Sequence, residues 1–234
     1  MKPLAWIGSS LKDYRAFPEP VKDDMGYALY LAQRGGRHES AKPLKGFGGA
    51  GVLELVENHD GDTYRAVYTV RFANAVYVLH AFQKKIEERP GNPEERHGHG
   101  QASAACSRRG CPATSRTRRE TMSEDTTITR SGGNVFADAG LPDADTHLVK
   151  AELVGRLDEI IRERGLSQRE AARVLGIAQP DLSNILRGRF RGCSVERLMR
   201  MLTAFDCDVS IVVAQQGREA ATIPFPPALV PTAD

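Results

Sequence analysis

Residues 42–85, KPLKGFGGAGVLELVENHDGDTYRAVYTVRFANAVYVLHAFQKK, decide the fold of the N-terminal half. Three runs rich in Val, Tyr and Phe (VLELVE, TYRAVYTVRF and AVYVLHAFQKK) are separated by NHDGD and AN, both turn signals. This pattern predicts an antiparallel three-strand meander. Side chains alternate along the middle strand, so Arg65, Val67, Thr69 and Arg71 share one face and Tyr64, Ala66, Tyr68, Val70 and Phe72 the other. On the third strand His80, Phe82 and Lys84 share a parity. With Lys42 and Lys45 on the loop before the sheet, such a face fits a phosphate-binding surface or the solvated side of an antiparallel sheet.

Upstream, SLKDYRAF predicts one helical turn with Ser10 as its cap, and FPEPVKDDMGYALYLAQRGG a helix. Proline near its start, acids in its first half, Met25, Leu29 and Ala32 on one face, and a terminal Gly-Gly mark that helix. The meander with one or two helices makes a compact α+β unit. The whole chain, 234 residues at 41% hydrophobic and 26% charged, has room for two small domains. Its net charge of +2 does not by itself argue for nucleic acid. No apolar run approaches a membrane span and no signal peptide is evident, so a cytoplasmic location and no membrane partner are expected. The four cysteines are then reduced thiols, with Cys193 and Cys207 as packing residues.

Residues 86–121 break the pattern. His97, His99, Cys106 and Cys111 form H-x-H…C-x4-C, but in a Gly, Arg and Ser context without the tight paired spacing of a structural zinc site. A basic nucleic-acid tail is a second reading of SRRGCPATSRTRR. A third explains more. Permitted codons read one nucleotide forward yield a Thr-Pro turn, an amphipathic helix, and a stop that overlaps the codon of Met122. On that reading residues 86–121 are out-of-frame translation, too poor in large apolar side chains to offset chain entropy. No metal and no cofactor are expected.

From Met122 a flexible leader is followed by four helices. The first runs from about Leu148 to Arg164 and stops at Gly165. The second, SQREAARVLG, opens with a capping box of Ser167 and Glu170. The third, QPDLSNILRG, has Pro180 in its first turn; the fourth, SVERLMRMLTAF, is capped by Ser194. The G-I-A between the second and third lets two helices meet steeply, with Ala171, Leu175, Ile177, Leu182, Ile185 and Leu186 as their shared core. A helical bundle without a DNA role is the alternative. DVSIVVAQQ alternates as a strand, an edge free to pair with a copy or with a partner, and IPFPPALVPTAD is a proline-rich tail.

Two resemblances sharpen this. In its K-x-L-x-G-x-G loop and its E-L, Y-R-x-x-Y and L-H-x-F-x-K-K strands, Met1 to Lys85 resembles the RelE/HigB superfamily of bacterial toxins in its phage-derived branch. The resemblance implies metal-independent mRNA cleavage, usually on the ribosome, by attack of a ribose 2′-OH. It assigns phosphate stabilisation to Arg65, charge or proton transfer to Lys84 and Lys85, and backbone binding to Lys45. The family's continuation past Lys-Lys is replaced here by IEERPGNPEERHGHG. LSQREAARVLGIAQPDLSNILRGR is similar to the Cro/XRE-type repressors, in particular the HigA-type antitoxins. That implies base contacts from Gln179, Ser183 and Asn184, backbone contacts from Gln168 and Arg187, and a homodimer on two half-sites.

The expected chain is therefore α+β: a small RelE-like antiparallel sheet with helices (1–85), a disordered linker (86–146), an all-α helix-turn-helix domain with one C-terminal strand (147–216) and a flexible tail (217–234). It is a toxin–antitoxin fusion, an operator-binding autorepressor whose toxin half is inactive or silenced by its partner in cis. The competing class is an active mRNA endoribonuclease, and a regulator with a working linker is the third.

Overall fold

The computed structural model describes residues 1–47, 51–84, 127–213 and 221–225. The expected meander is β3 (Val52–His59), β4 (Asp62–Thr69) and β5 (Val76–Lys84), antiparallel throughout. Asp60 and Gly61 turn the first hairpin with φ of 50° and 85°, the left-handed pair that a two-residue hairpin needs. A register shift between Val67 and Tyr68 marks a bulge against β5. Beyond it the simple alternation fails: Thr69 is buried, although it has the parity of Arg65, and Phe72 is half exposed.

The sheet is larger than the meander. β1 (Leu4–Ile7) runs parallel to β5, β2 (Lys42–Pro43) pairs with β3, and β6 (Ile128–Arg130) pairs antiparallel with β1. The order is β2-β3-β4-β5-β1-β6. Helix α1 (Ser10–Arg15) follows β1, but Ser10 does not cap it. The cap position is Ser9, and the Ser10 hydroxyl instead donates to the carbonyl of Val78, tying α1 to the sheet.

Helix α2 (Glu19–Gln33) buries Met25, Leu29 and Ala32, the predicted stripe. It also buries Lys22, Asp23, Gly26, Tyr27, Ala28, Tyr30 and Gln33. A helix buried on several sides lies inside a larger body. One side packs on β3; the other receives α3 (Val135–Asp138) and α4 (Ala144–Glu163).

Residues 127–146, expected as linker, are built into this body. β6 covers the edge of β1, and Asn134 caps α3 by accepting from the N–H groups of Phe136 and Ala137. Val135 and Phe136 are fully buried, the Trp6 indole N–H donates to Asp138 at 3.1 Å, and Arg15 donates to the Asp138 carbonyl at 2.7 Å. Burial of two large apolar side chains against α2 and a strand pairing are what the leader gains by ordering. The two halves therefore share one continuous core instead of each closing its own.

The remaining helices, α5 (Gln168–Leu175), α6 (Gln179–Leu186) and α7 (Val195–Thr203), fall where their caps predict. The box of Ser167 and Glu170 is formed in both directions, and Gly176 ends α5 with φ of 64°. Ala171, Leu182 and Ile185 are buried, with Leu175, Ile177 and Leu186 packed around them. Cys193 is buried in the same core and Cys207 packs against it; neither forms a disulfide. The C-terminal strand β7 (Ser210–Val213) does not stand as a lone edge. It pairs antiparallel with β8 (Ala221–Pro224), within the stretch expected as flexible tail.

Gly26 sets how closely α3 approaches α2. A Cβ there would lie 2.9 Å from Cε1 of the buried Phe136. Alanine is normally better than glycine inside a helix by about 1 kcal/mol. Here Gly26→Ala is expected to destabilise the chain by about 1–3 kcal/mol, the usual cost of overpacking. Urea unfolding measures this, and a stabilised variant would mean that α2 and α3 are not in contact.

Candidate nucleic-acid interfaces and the surface between the halves

Arg65, Phe82 and Val56 are cross-strand partners on the sheet face away from α2, as are Lys84, Thr63 and Asn58. The structure thus brings Arg65 and Lys84 to one face. His80 lies beside them, opposite Val67, with its ring 5.1 Å from that of Phe82. His80, Phe82 and Lys84 are exposed. Lys45 is exposed in the turn after β2, and Lys42 stands across from Glu54. Lys85, the His97/His99 pair, Cys106 and Cys111 lie outside the described residues.

Sequence reading missed the partner of Arg65. Its guanidinium donates to Glu54 Oε1 at 2.6 Å, with both side chains largely shielded. Glu54 is the acid of the E-L strand, so the pairing was latent in the register of β3 on β4. A phosphate approaching Arg65 must share it with this carboxylate.

On the helical half, Gln179 and Asn184 are exposed and Ser183 is partly so. Residues 179, 183 and 187 are four apart and share one helical face. The Gln179 side-chain amide donates to Gln168 Oε1 at 3.1 Å, joining the starts of α5 and α6. Arg187 is the C-cap of α6 and is exposed.

The surface between the halves is charged at its rim and apolar at its centre. Tyr27 on α2 meets Phe190 edge to face, with ring centroids 5.4 Å apart. Gly188, at φ of 97°, lets the chain pass so near that a Cβ would sit 3.0 Å from that of Tyr27. Around this contact Arg187 pairs with Glu39 at 3.5 Å and Arg189 with Asp24 at 3.0 Å and Glu57 at 3.8 Å. Arg191 pairs with Glu19, and with Asp23 at 3.9 Å. Behind them His147 Nε2 lies 3.1 Å from the buried Asp23 carboxylate, and Lys150 donates to the Arg191 carbonyl at 3.0 Å. Of these partners only Arg187 was assigned a role from sequence, as a DNA-backbone contact. The available signal was the pair of acids, Asp23 and Asp24, just before the apolar run of the helix.

A family model described as phage derived protein Gp49-like matches residues 12–92. A model described as a helix-turn-helix domain matches residues 135–214. The chain joins a Gp49-like domain, of the RelE/HigB toxin type, to an XRE-type helix-turn-helix domain. A solved chain described as an XRE family transcriptional regulator is 42% identical over 37% of this chain and 100% of its own, with a TM-score of 0.31. Curated proteins gave no match. No described helix is long and apolar enough to cross a membrane, and no group of three or more metal-ligating side chains occurs among the described residues.

Three carboxyls of the Gp49-like domain at this surface are shifted. Burial holds Asp23, Asp24 and Glu57 above the usual carboxylate range. His147 and Arg191 pull Asp23 back, and Arg189 does the same for Asp24; Asp24 itself pushes Glu57 higher. An acid raised in the folded state contributes stability that is complete below its unfolded value and is lost as pH rises through its folded value. The chain is therefore expected to melt at lower temperature as pH rises above the ordinary carboxylate range. Asp24→Asn should flatten that dependence, and calorimetry across the range checks it.

Proposed function

We propose that this chain is a toxin–antitoxin pair in one polypeptide whose working activity is operator binding and autorepression. Gln179, Ser183 and Asn184 read base edges, while Gln168 and Arg187 fix the backbone. The observation that carries the reading is the joint between α5 and α6. The capping box, the left-handed Gly176 and the Gln168–Gln179 hydrogen bond set the two helices, and the amide-bearing face of α6 is left open. The protein acts as a homodimer on two half-sites, and the exposed Ile211, Val212 and Ile223 of the β7–β8 pair supply apolar surface for a second copy.

The toxin half is silenced in cis on this reading. Covalent linkage holds it beside its antitoxin at high effective concentration, and Glu54 occupies Arg65. Residues 86–121 are filler from a shifted frame, which resequencing the gene around Lys85 tests. A second reading, an active endoribonuclease acting on mRNA at the ribosome, is favoured by one observation. The helix-turn-helix half docks on the α2 side, and Lys84, His80 and Phe82 stay exposed on the other.

Gel shift on DNA from upstream of its own coding sequence tests the first reading. Asn184→Ala or Gln179→Ala should lower affinity by about 5- to 150-fold, the value of one bidentate amide–adenine contact of about 1–3 kcal/mol. Normal binding by both variants rules out these contacts. Expression of the full chain tests the second reading. No growth arrest is expected; arrest that Arg65→Ala relieves would move the function to the ribonuclease.

A further inference from the structure

We propose that Glu39 of the Gp49-like domain competes with the DNA backbone for Arg187, so that the docked toxin domain weakens operator binding by its own chain. The inference rests on the DNA-binding reading above.

Arg187 continues the face of α6 that carries Gln179 and Ser183, one turn beyond the latter. A recognition helix lying in the major groove is flanked by the two phosphate backbones, and cations at its ends meet them. Arg187 stands at the C-terminal end, with its guanidinium already 3.5 Å from Glu39. The two side chains are 54% and 61% exposed, so a phosphate can reach the arginine and the carboxylate is not locked in place.

The contest extends behind this pair. Asp24, Glu39 and Glu57 line one hollow with Arg187 and Arg189. Arg189 bridges Asp24 and Glu57, and Arg191 holds Glu19 and Asp23. Five carboxylates thus face three arginines just past the reading helix. Lys42 lines the same hollow and offsets part of the difference. Lys150, on the Arg191 carbonyl, offsets the rest, so the cluster acts on Arg187 through its nearest carboxylate and not through a net charge. Arg189 and Arg191 are held at the domain surface by two carboxylates each. Arg187 has one carboxylate within ion-pair distance among the described residues, Glu39, with Glu57 farther off, and it lies on the reading face, so the competition is decided there.

The test uses the full chain and a labelled duplex from upstream of its own coding sequence, titrated at about 50 mM salt, where phosphate contacts are strong. Glu39→Gln should bind about 3- to 5-fold tighter, the scale of one exposed charge pair. The gain should fade toward about 200 mM salt. It should also vanish in an Arg187→Ala background, where there is nothing left to release. Glu152→Gln, an exposed carboxylate on α4, should leave affinity unchanged. Unchanged or weaker binding by Glu39→Gln overturns the proposal, and so does an equal gain without Arg187. A wild-type chain that leaves the duplex unbound refutes the DNA-binding reading and this inference with it; binding that ignores Glu39 refutes the competition alone.

Discussion

Helix α2 has to be buried on two sides, and the rest of the architecture follows from that. Its Met25 and Leu29 serve the sheet core, as a single amphipathic stripe would. Tyr27 and Tyr30 are fully buried as well, and no three-strand sheet can cover both stripes at once. The second cover comes from Phe136 at Gly26 and from Phe190 and Gly188 at Tyr27. An aromatic ring buries roughly 150–250 Å², so these few contacts carry a large share of the association between the halves. The charged rim adds register more than energy, because exposed ion pairs contribute about 0–1 kcal/mol each.

This explains which parts were legible in the sequence. The helix-turn-helix was readable because its signals are local. Ser167, Glu170, Gly176 and Ser194 act within one turn of where they stand, and the apolar spacing of Ala171, Leu182 and Ile185 needs no distant partner. The meander was readable for the same reason, with Asp60-Gly61 fixing its first turn. β1 and β6 were not, since each is four residues or fewer and pairs with segments far away in the chain. β8 lies in a proline-rich stretch whose composition argues against a strand, and only its pairing with β7 makes it one.

The candidate sites divide along the same line. Gln179, Ser183 and Asn184 were placed by a motif on one short helix, and Gln179 and Asn184 are exposed there, with Ser183 partly so. Arg65 was placed by a motif, but its bond to Glu54 depends on cross-strand register, which a motif does not state. The docking charges were the least visible. Asp23 and His147 are buried together, and either alone would look like an error in its helix. A buried carboxylate in an apolar helix is costly without a partner, so its presence is itself a sign that another surface covers it.

The two faces of the one sheet carry separate tasks. Holding the Gp49-like domain folded is the work of the α2 side, where the leader and α4 pack. Any chemistry at Arg65 belongs to the opposite side, where Lys84, His80 and Phe82 meet solvent. Tight docking therefore does not by itself cover the cationic face. On that face the one constraint the structure places on Arg65 among the described residues is its bond to Glu54. The same geometry puts the acidic side of the domain beside the end of the recognition helix. What the helix-turn-helix half gains from docking in shared core it loses in free arginines, because Arg187, Arg189 and Arg191 are all tied to carboxylates of the other half.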